Sequence, residues 1–181
     1  DPTRPSPRLA IARLLLARGD LLAAHLELVA ALASAPRWRE AQLALAALHH
    51  VAGRHAEAVR MLRARLAQAP RDVDALAQLA EVLAADGRAV EAREAVRRAR
   101  RLEPEHPLAL LVDGSLLAAQ GRHRDARGCF ERLLATEAPA PFATRARAAL
   151  AALDASRTDV LPTASVAPTA SRLVLVGEAR E

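Results

Sequence analysis

Apolar side chains recur at intervals of three and four along most of this chain, as in Leu76, Leu79, Ala80 and Leu83 and again in Ala92, Val96 and Ala99. That spacing collects them on one face of a helix. The punctuation between such stretches alternates. Gly19, Gly53, Gly87 and Gly121 follow the first helix of each pair, where a residue with positive φ ends a helix at low cost. Pro36, Pro70 and Pro104 then stop the second helix. The chain therefore reads as helix, short turn, helix, repeated, with no strand alternation in this region.

The repetition is metrical. The four glycines lie 34 residues apart, Pro2, Pro36, Pro70 and Pro104 keep the same interval, and Ala138 stands where a fifth proline would fall. Ala24, Ala58, Ala92 and Ala126 come five places after each glycine, while Ala12, Ala46, Ala80 and Gly114 come seven before it. Nine after each glycine is a bulky apolar residue: Leu28, Leu62, Val96 or Phe130. Small side chains let helices approach closely, and the large ones fill the space between them.

A period of this length marks a helical repeat array. The pattern resembles the tetratricopeptide repeat (TPR) family, whose unit is a pair of antiparallel helices, and the resemblance covers roughly residues 5–154. It implies an all-α solenoid, a right-handed superhelix, with repeats near 5–38, 39–72, 73–106 and 107–140 and a capping helix at about 141–154. Three positions depart from the pattern. Arg65 sits where other repeats have Ala31 and Ala99, Asp113 where they have Ile11, Leu45 and Leu79, and His49 where they have Leu15, Leu83 and Leu117.

Composition narrows the function classes. The hydrophobic share is 52% but comes mostly from Ala and Leu, and no uninterrupted apolar run of about 18 residues exists, so no membrane-spanning helix is expected. All 26 basic residues are arginine, which reads as the codon bias of a GC-rich, bacterial genome. The net charge of +5 is concentrated early, with +2 in residues 1–38, +3 in 39–72 and −1 in 73–106. A single cysteine excludes an internal disulfide and allows a reducing or an oxidising compartment, with the cytoplasm slightly favoured over the periplasm. The chain starts at Asp1 with neither methionine nor leader, which reads as a removed signal segment or a fragment. Residues 155–181 read as a tail: 158–171 is a Pro/Thr/Ser/Ala linker, followed at 172–177 by a short β-prone run. That run suits the first strand of a further domain, a truncated linker, or a peptide that adds to a partner's sheet edge.

Candidate chemistry is sparse. His49 and His50 are adjacent and point about 100° apart on a helix, so they cannot chelate one metal. His55 and His123 fall two repeats apart, which implies a packing role, and no metal or cofactor site is expected. Cys129, beside Phe130 on a second helix, reads as an inert, half-buried thiol, and no phosphate loop or nucleophile motif is present, so catalysis is not expected. Arg93, Arg97, Arg98, Arg100 and Arg101 could contact phosphates, but Glu91, Glu94, Glu103 and Glu105 surround them, and Glu94 to Arg98 has favourable i,i+4 spacing. A solvated helix face is the expectation, and nucleic acid is not the expected partner.

The resemblance implies that the first helices line a concave groove. Its expected lining is Leu9, Arg13 and Leu16, then Leu43, Ala47, His50 and Val51, then Ala77, Glu81 and Ala84, then Leu111, Ser115 and Ala118. TPR domains that clamp a C-terminal carboxylate use Asn with Lys or Arg, and this chain has no Asn or Lys. An apolar trough bordered by Glu40, Asp74 and Glu81 suits an amphipathic helix or extended apolar segment of a partner protein with some positive charge. A non-catalytic scaffold is the resulting expectation. The alternatives are an assembly or maturation factor of an envelope complex, or the regulatory portion of a larger enzyme.

Overall fold

The computed structural model describes residues 7–158; Pro2 and the linker and β-prone run expected beyond 158 lie outside the described residues. Within them are nine helices: α1 (Pro7–Ala17), α2 (Leu21–Ser34), α3 (Arg39–Val51), α4 (His55–Gln68), α5 (Val73–Ala85), α6 (Ala89–Leu102), α7 (Pro107–Ala119), α8 (His123–Ala135) and α9 (Ala140–Thr158). The last helix runs four residues beyond the expected end of the cap.

Each turn within a pair is built the same way. Gly19, Gly53, Gly87 and Gly121 have φ between 73° and 79°, a conformation that other residues adopt only under strain. The residue after each glycine donates its N–H to the carbonyl five places earlier, Asp20 to Leu15, Arg54 to His49, Arg88 to Leu83 and Arg122 to Leu117, at 2.8–3.0 Å. This pattern satisfies carbonyls that the helix end leaves open. Helices α2, α4 and α6 each end two residues before Pro36, Pro70 or Pro104. Three helices open on side-chain caps: Asp20 accepts from the Ala23 N–H, Asp72 from that of Ala75, and Nδ1 of His106 from that of Ala109.

Helices stack in two layers. The backbone of each first helix approaches that of the next, α1 to α3, α3 to α5, α5 to α7 and α7 to α9, whereas the backbones of α2, α4, α6 and α8 stay apart and meet only through long side chains, as Arg63 of α4 and Glu91 of α6 do at 2.6 Å. Each second helix packs instead on its own partner and on the following first helix. Elements on the inside of a curved stack lie closer together, so the first helices form the inner layer.

The periodic small and large residues meet between the layers. Ala24, Ala58, Ala92 and Ala126 are fully enclosed, as are Leu28, Leu62, Val96 and Phe130. Repeat four exchanges size across this contact: Gly114 replaces the alanine of the other repeats and the Phe130 ring occupies the space a Cβ would take.

The three departures from the pattern each acquire a polar neighbour. The Asp72 carboxylate, 2% exposed, accepts from Arg65 Nε at 2.9 Å and from Arg39 Nη2 at 2.8 Å. Burial alone would raise the Asp72 carboxyl, but hydrogen bonds from Arg39, Arg65 and the Ala75 amide overcome it and hold the group below its ordinary range. Asp113 pairs with Arg100. His49 is buried with its ring edge toward His25, 5.7 Å between centroids, and its Nδ1 has no hydrogen-bond partner.

Candidate protein-interaction surface

The inner layer exposes a narrower set of side chains than the sequence suggests. Arg13 and Ser115 are exposed on α1 and α7, and Ala47, His50, Glu81 and Ala118 are half-buried on α3, α5 and α7. Leu16 and Ala84 are half-buried beside them, and Val51 is exposed at the end of α3.

Leu9, Leu43, Ala77 and Leu111 were expected to line the groove and do not. Leu9 packs with Ala12, Leu45 and Leu48, while Leu43 and Ala77 belong to the central core with Ala46 and Leu76. These positions lie where neighbouring first helices touch, so the stack closes over them. Leu111 is enclosed with Ala146 and Leu153 of α9. The cap thus covers the last part of the inner face.

The electrostatics of this face also differ from expectation. All three bordering carboxylates are already engaged. Glu81 pairs with Arg145 of α9 at 2.8 Å, Glu40 lies 3.8 Å from Arg39, and Asp74 takes both Arg39 and the Nε2 of His106. Hydrogen bonding from His106 is the main reason the Asp74 carboxyl titrates well below its usual range. The surface therefore has no unmatched acidic rim to select a positively charged partner. Continuing the 34-residue interval one step past Leu111 reaches Arg145. That was the signal available in the sequence.

His50 is the polar centre of the face. Its Nδ1 lies 3.3 Å from Nδ1 of His55, the first residue of α4, so one of the two rings donates to the other. Burial pushes His50 below its ordinary value, and Glu81 opposes that shift only in part. His55 is half-buried, but His123 is exposed, so the packing role inferred from their equivalent positions holds for one of the two. Among the described residues no group of three or more His, Cys, Asp or Glu side chains is placed to hold a metal ion.

Opposite the inner face, a cleft of about 410 Å³ opens between α6 and α7 over Leu116 and Leu117, walled by Arg93, Arg97 and Arg122. Its charges are largely committed elsewhere: Arg122 pairs with Asp125 and Arg97 with Glu94. The expected Glu94 to Arg98 pair does not form. Glu94 takes Arg97 at 2.6 Å instead, with Arg101 at 3.9 Å, while Arg98 donates to the Pro70 carbonyl. The arginines of α6 are therefore engaged by Glu94, by Asp113 of α7 and by the Pro70 carbonyl, which weakens the case for phosphate contacts. Buried Cys129 lies 3.9 Å from Asp113, and burial raises its thiol, the opposite of what a nucleophile needs.

Comparison with known proteins agrees with this architecture. A family model for the tetratricopeptide repeat matches residues 51–111. A solved thermophilic TPR protein of Thermus thermophilus superposes with a TM-score of 0.73 at 25% identity, covering 83% of this chain and 81% of that one. MamA from Desulfovibrio magneticus superposes at 0.58 with 23% identity and 74% of each chain covered. A tetratricopeptide repeat protein from Parabacteroides merdae gives 0.58 at 22% identity, over 84% of this chain and 59% of that chain. The last two likenesses concern the fold alone. A search of curated proteins found no match.

Proposed function

We propose that this chain, which belongs to the tetratricopeptide repeat family, is a non-catalytic scaffold that docks a segment of a partner protein along its inner face. TPR arrays generally mediate contacts between proteins, which makes that reading the starting point. The observation that carries it is the row of accessible residues on adjacent first helices, small at four of six positions: Ala47 and His50 on α3, Glu81 and Ala84 on α5, Ser115 and Ala118 on α7, all half-buried but the exposed Ser115. The alanines and Ser115 leave the backbone cylinders accessible, so an amphipathic helix or extended apolar segment can lie close to them. Arg145 and Glu81 neutralise each other on this face. Selection then rests on shape and apolar contact, with His50 and Ser115 as polar anchors, and no longer on positive charge in the partner.

The test is a double substitution that fills the row without touching the core. Ala47→Arg with Ala118→Arg should abolish recovery of the bound partner in affinity capture followed by mass spectrometry, while far-ultraviolet circular dichroism stays at the wild-type level. A matched pair on the outer layer, Val90→Arg with Arg93→Glu, should leave recovery intact. If the outer pair abolishes capture and the inner pair does not, the docking surface is assigned to the wrong layer.

A further inference from the structure

Along α3 His50 is adjacent to His49 and cannot share an ion with it, but the turn from α3 to α4 brings in a different ring. Nδ1 of His50 and Nδ1 of His55 face each other at 3.3 Å, with ring centroids 5.2 Å apart. The turn that holds them is fixed. The Gly53 N–H donates to the His50 carbonyl at 2.9 Å and the Arg54 N–H to that of His49 at 2.8 Å, with Gly53 in the left-handed conformation. Both rings are half-buried, so each is steadied by its surroundings and stays partly accessible. Only the second repeat has histidine at both places: His50 corresponds to Leu16, Ala84 and Ala118, and His55 to Leu21, Ala89 and His123.

The two separations distinguish a straight hydrogen bond from a chelate angle. A straight Nδ1–H···Nδ1 bond of this length would set the centroids about 5.6 Å apart. Two imidazole nitrogens bound at about 2.0–2.1 Å to one tetrahedral ion lie about 3.3 Å apart, with centroids about 5.2 Å apart. The pair in the structure fits the second arrangement. Charge agrees with it. Burial holds His50 below its ordinary value, so its ring is neutral at neutral pH and has a lone pair to give, and Glu81 of α5 acts on that ring more strongly than Arg145 of α9 does.

We propose that His50 and His55 form a two-histidine site for a divalent transition-metal ion, zinc by its tetrahedral angle, with the remaining positions held by water. The ion takes the place of the hydrogen between the rings. The donor ring moves its hydrogen to Nε2, both Nδ1 lone pairs then point at the metal, and the neutral pair loses no net proton. With two protein ligands the ion exchanges readily, unlike a structural zinc with four. A side chain of a docked segment can displace either water, but the site is complete without one. Zinc uptake is therefore measured on the chain alone and stands or falls independently of the docking reading.

Competition with a chromophoric zinc chelator, on protein free of any affinity tag, tests the site. Wild type should take up one zinc ion per chain and melt at a higher temperature with zinc present. His50→Ala with His55→Ala should weaken uptake by on the order of 10-fold or more and remove the thermal shift. Repeat three already has Ala84 and Ala89 at these places, so the array accommodates that pair. His123→Ala should change neither reading, since Ala118 stands where the second ring is needed. Independently of how the variants fold, zinc added to wild type should shift the imidazole resonances of His50 and His55 in nuclear magnetic resonance spectra and leave those of His123 in place. No saturable uptake by wild type at about 100 µM zinc, uptake undiminished in the double alanine variant, or resonance shifts at His123 and not at the pair overturns the proposal.

Discussion

The exchange of size between Gly114 and Phe130 lends itself to a quantitative experiment. A Cβ built on Gly114 would stand 2.5 Å from Cε1, 2.8 Å from Cζ and 3.0 Å from Cδ1 of Phe130. Carbon atoms in contact prefer about 3.5–4.0 Å, so Gly114→Ala requires the ring or helix α7 to retreat by about 1 Å. The ring has little room, being enclosed with Leu110, Leu133 and Ala146. Overpacking of this kind costs about 1–3 kcal/mol, against a gain of about 1 kcal/mol from replacing glycine inside a helix. The net expectation is a loss of up to about 2 kcal/mol from a substitution that helix propensity alone would favour. Phe130→Leu removes the clash and restores the Leu found in repeats one and two. On that background Gly114→Ala should become stabilising, giving a coupling of about 2 kcal/mol between the two sites. Urea unfolding followed by circular dichroism measures the four members of the cycle, and amide exchange in α7 and α8 shows whether the loss is local. A Gly114→Ala protein at least as stable as wild type, with additive effects of the two changes, would refute this packing.

Asp72→Asn should cost about 2–3 kcal/mol by thermal unfolding, since it leaves Arg65 facing a neutral group in a mostly buried site, discounted because Arg39 is partly exposed to solvent. Asp72 and Asp74 both have folded values below their unfolded ones, so their contribution is complete above about pH 4 and is lost as pH falls through the depressed folded values. A melting temperature that drops between pH 6 and pH 5 in a variant lacking every histidine but His106 would contradict that window. His49→Leu should stabilise by about 1 kcal/mol by removing an unpartnered buried nitrogen from a position that is leucine in three repeats. Burial depresses His49, so its share of stability is complete above about pH 6.5 and declines as pH falls below that. The variant should accordingly show a flatter melting temperature between pH 7 and 5 than wild type. Ala92→Leu, at a fully enclosed site facing its partner helix, should cost about 1–3 kcal/mol in the same assay.

The fold was legible because it repeats. Glycines that need positive φ and alternating small and large residues agree in every copy, prolines end the second helix in three of the four, and each has a local physical cause that one repeat suffices to reveal. The groove was less legible. Leu9, Leu43, Ala77 and Leu111 share a helix face with Arg13, Ala47, Glu81 and Ser115, and only the spacing between neighbouring first helices decides which of them is enclosed. The charges were harder still. Arg65 and Asp113 look like isolated departures from the pattern until Asp72 and Arg100 are placed beside them, and Glu81 looks like an open acidic rim until α9 brings Arg145 across. These pairs join residues separated by 7, 13 and 64 positions. The first two span the turns from α4 to α5 and from α6 to α7, where spacing along one helix does not say which side chains meet, and the third depends on where the cap docks.

The claim that the inner layer is the docking face is tested most directly by site-specific photo-cross-linking in cells. A photoreactive amino acid at Ala84, central on that face, should trap a discrete protein adduct that Ala47→Arg with Ala118→Arg removes, while the same group at Arg97 on the outer layer should trap none. Adducts formed at residue 97 and absent at residue 84, or adducts composed of nucleic acid, would contradict the account.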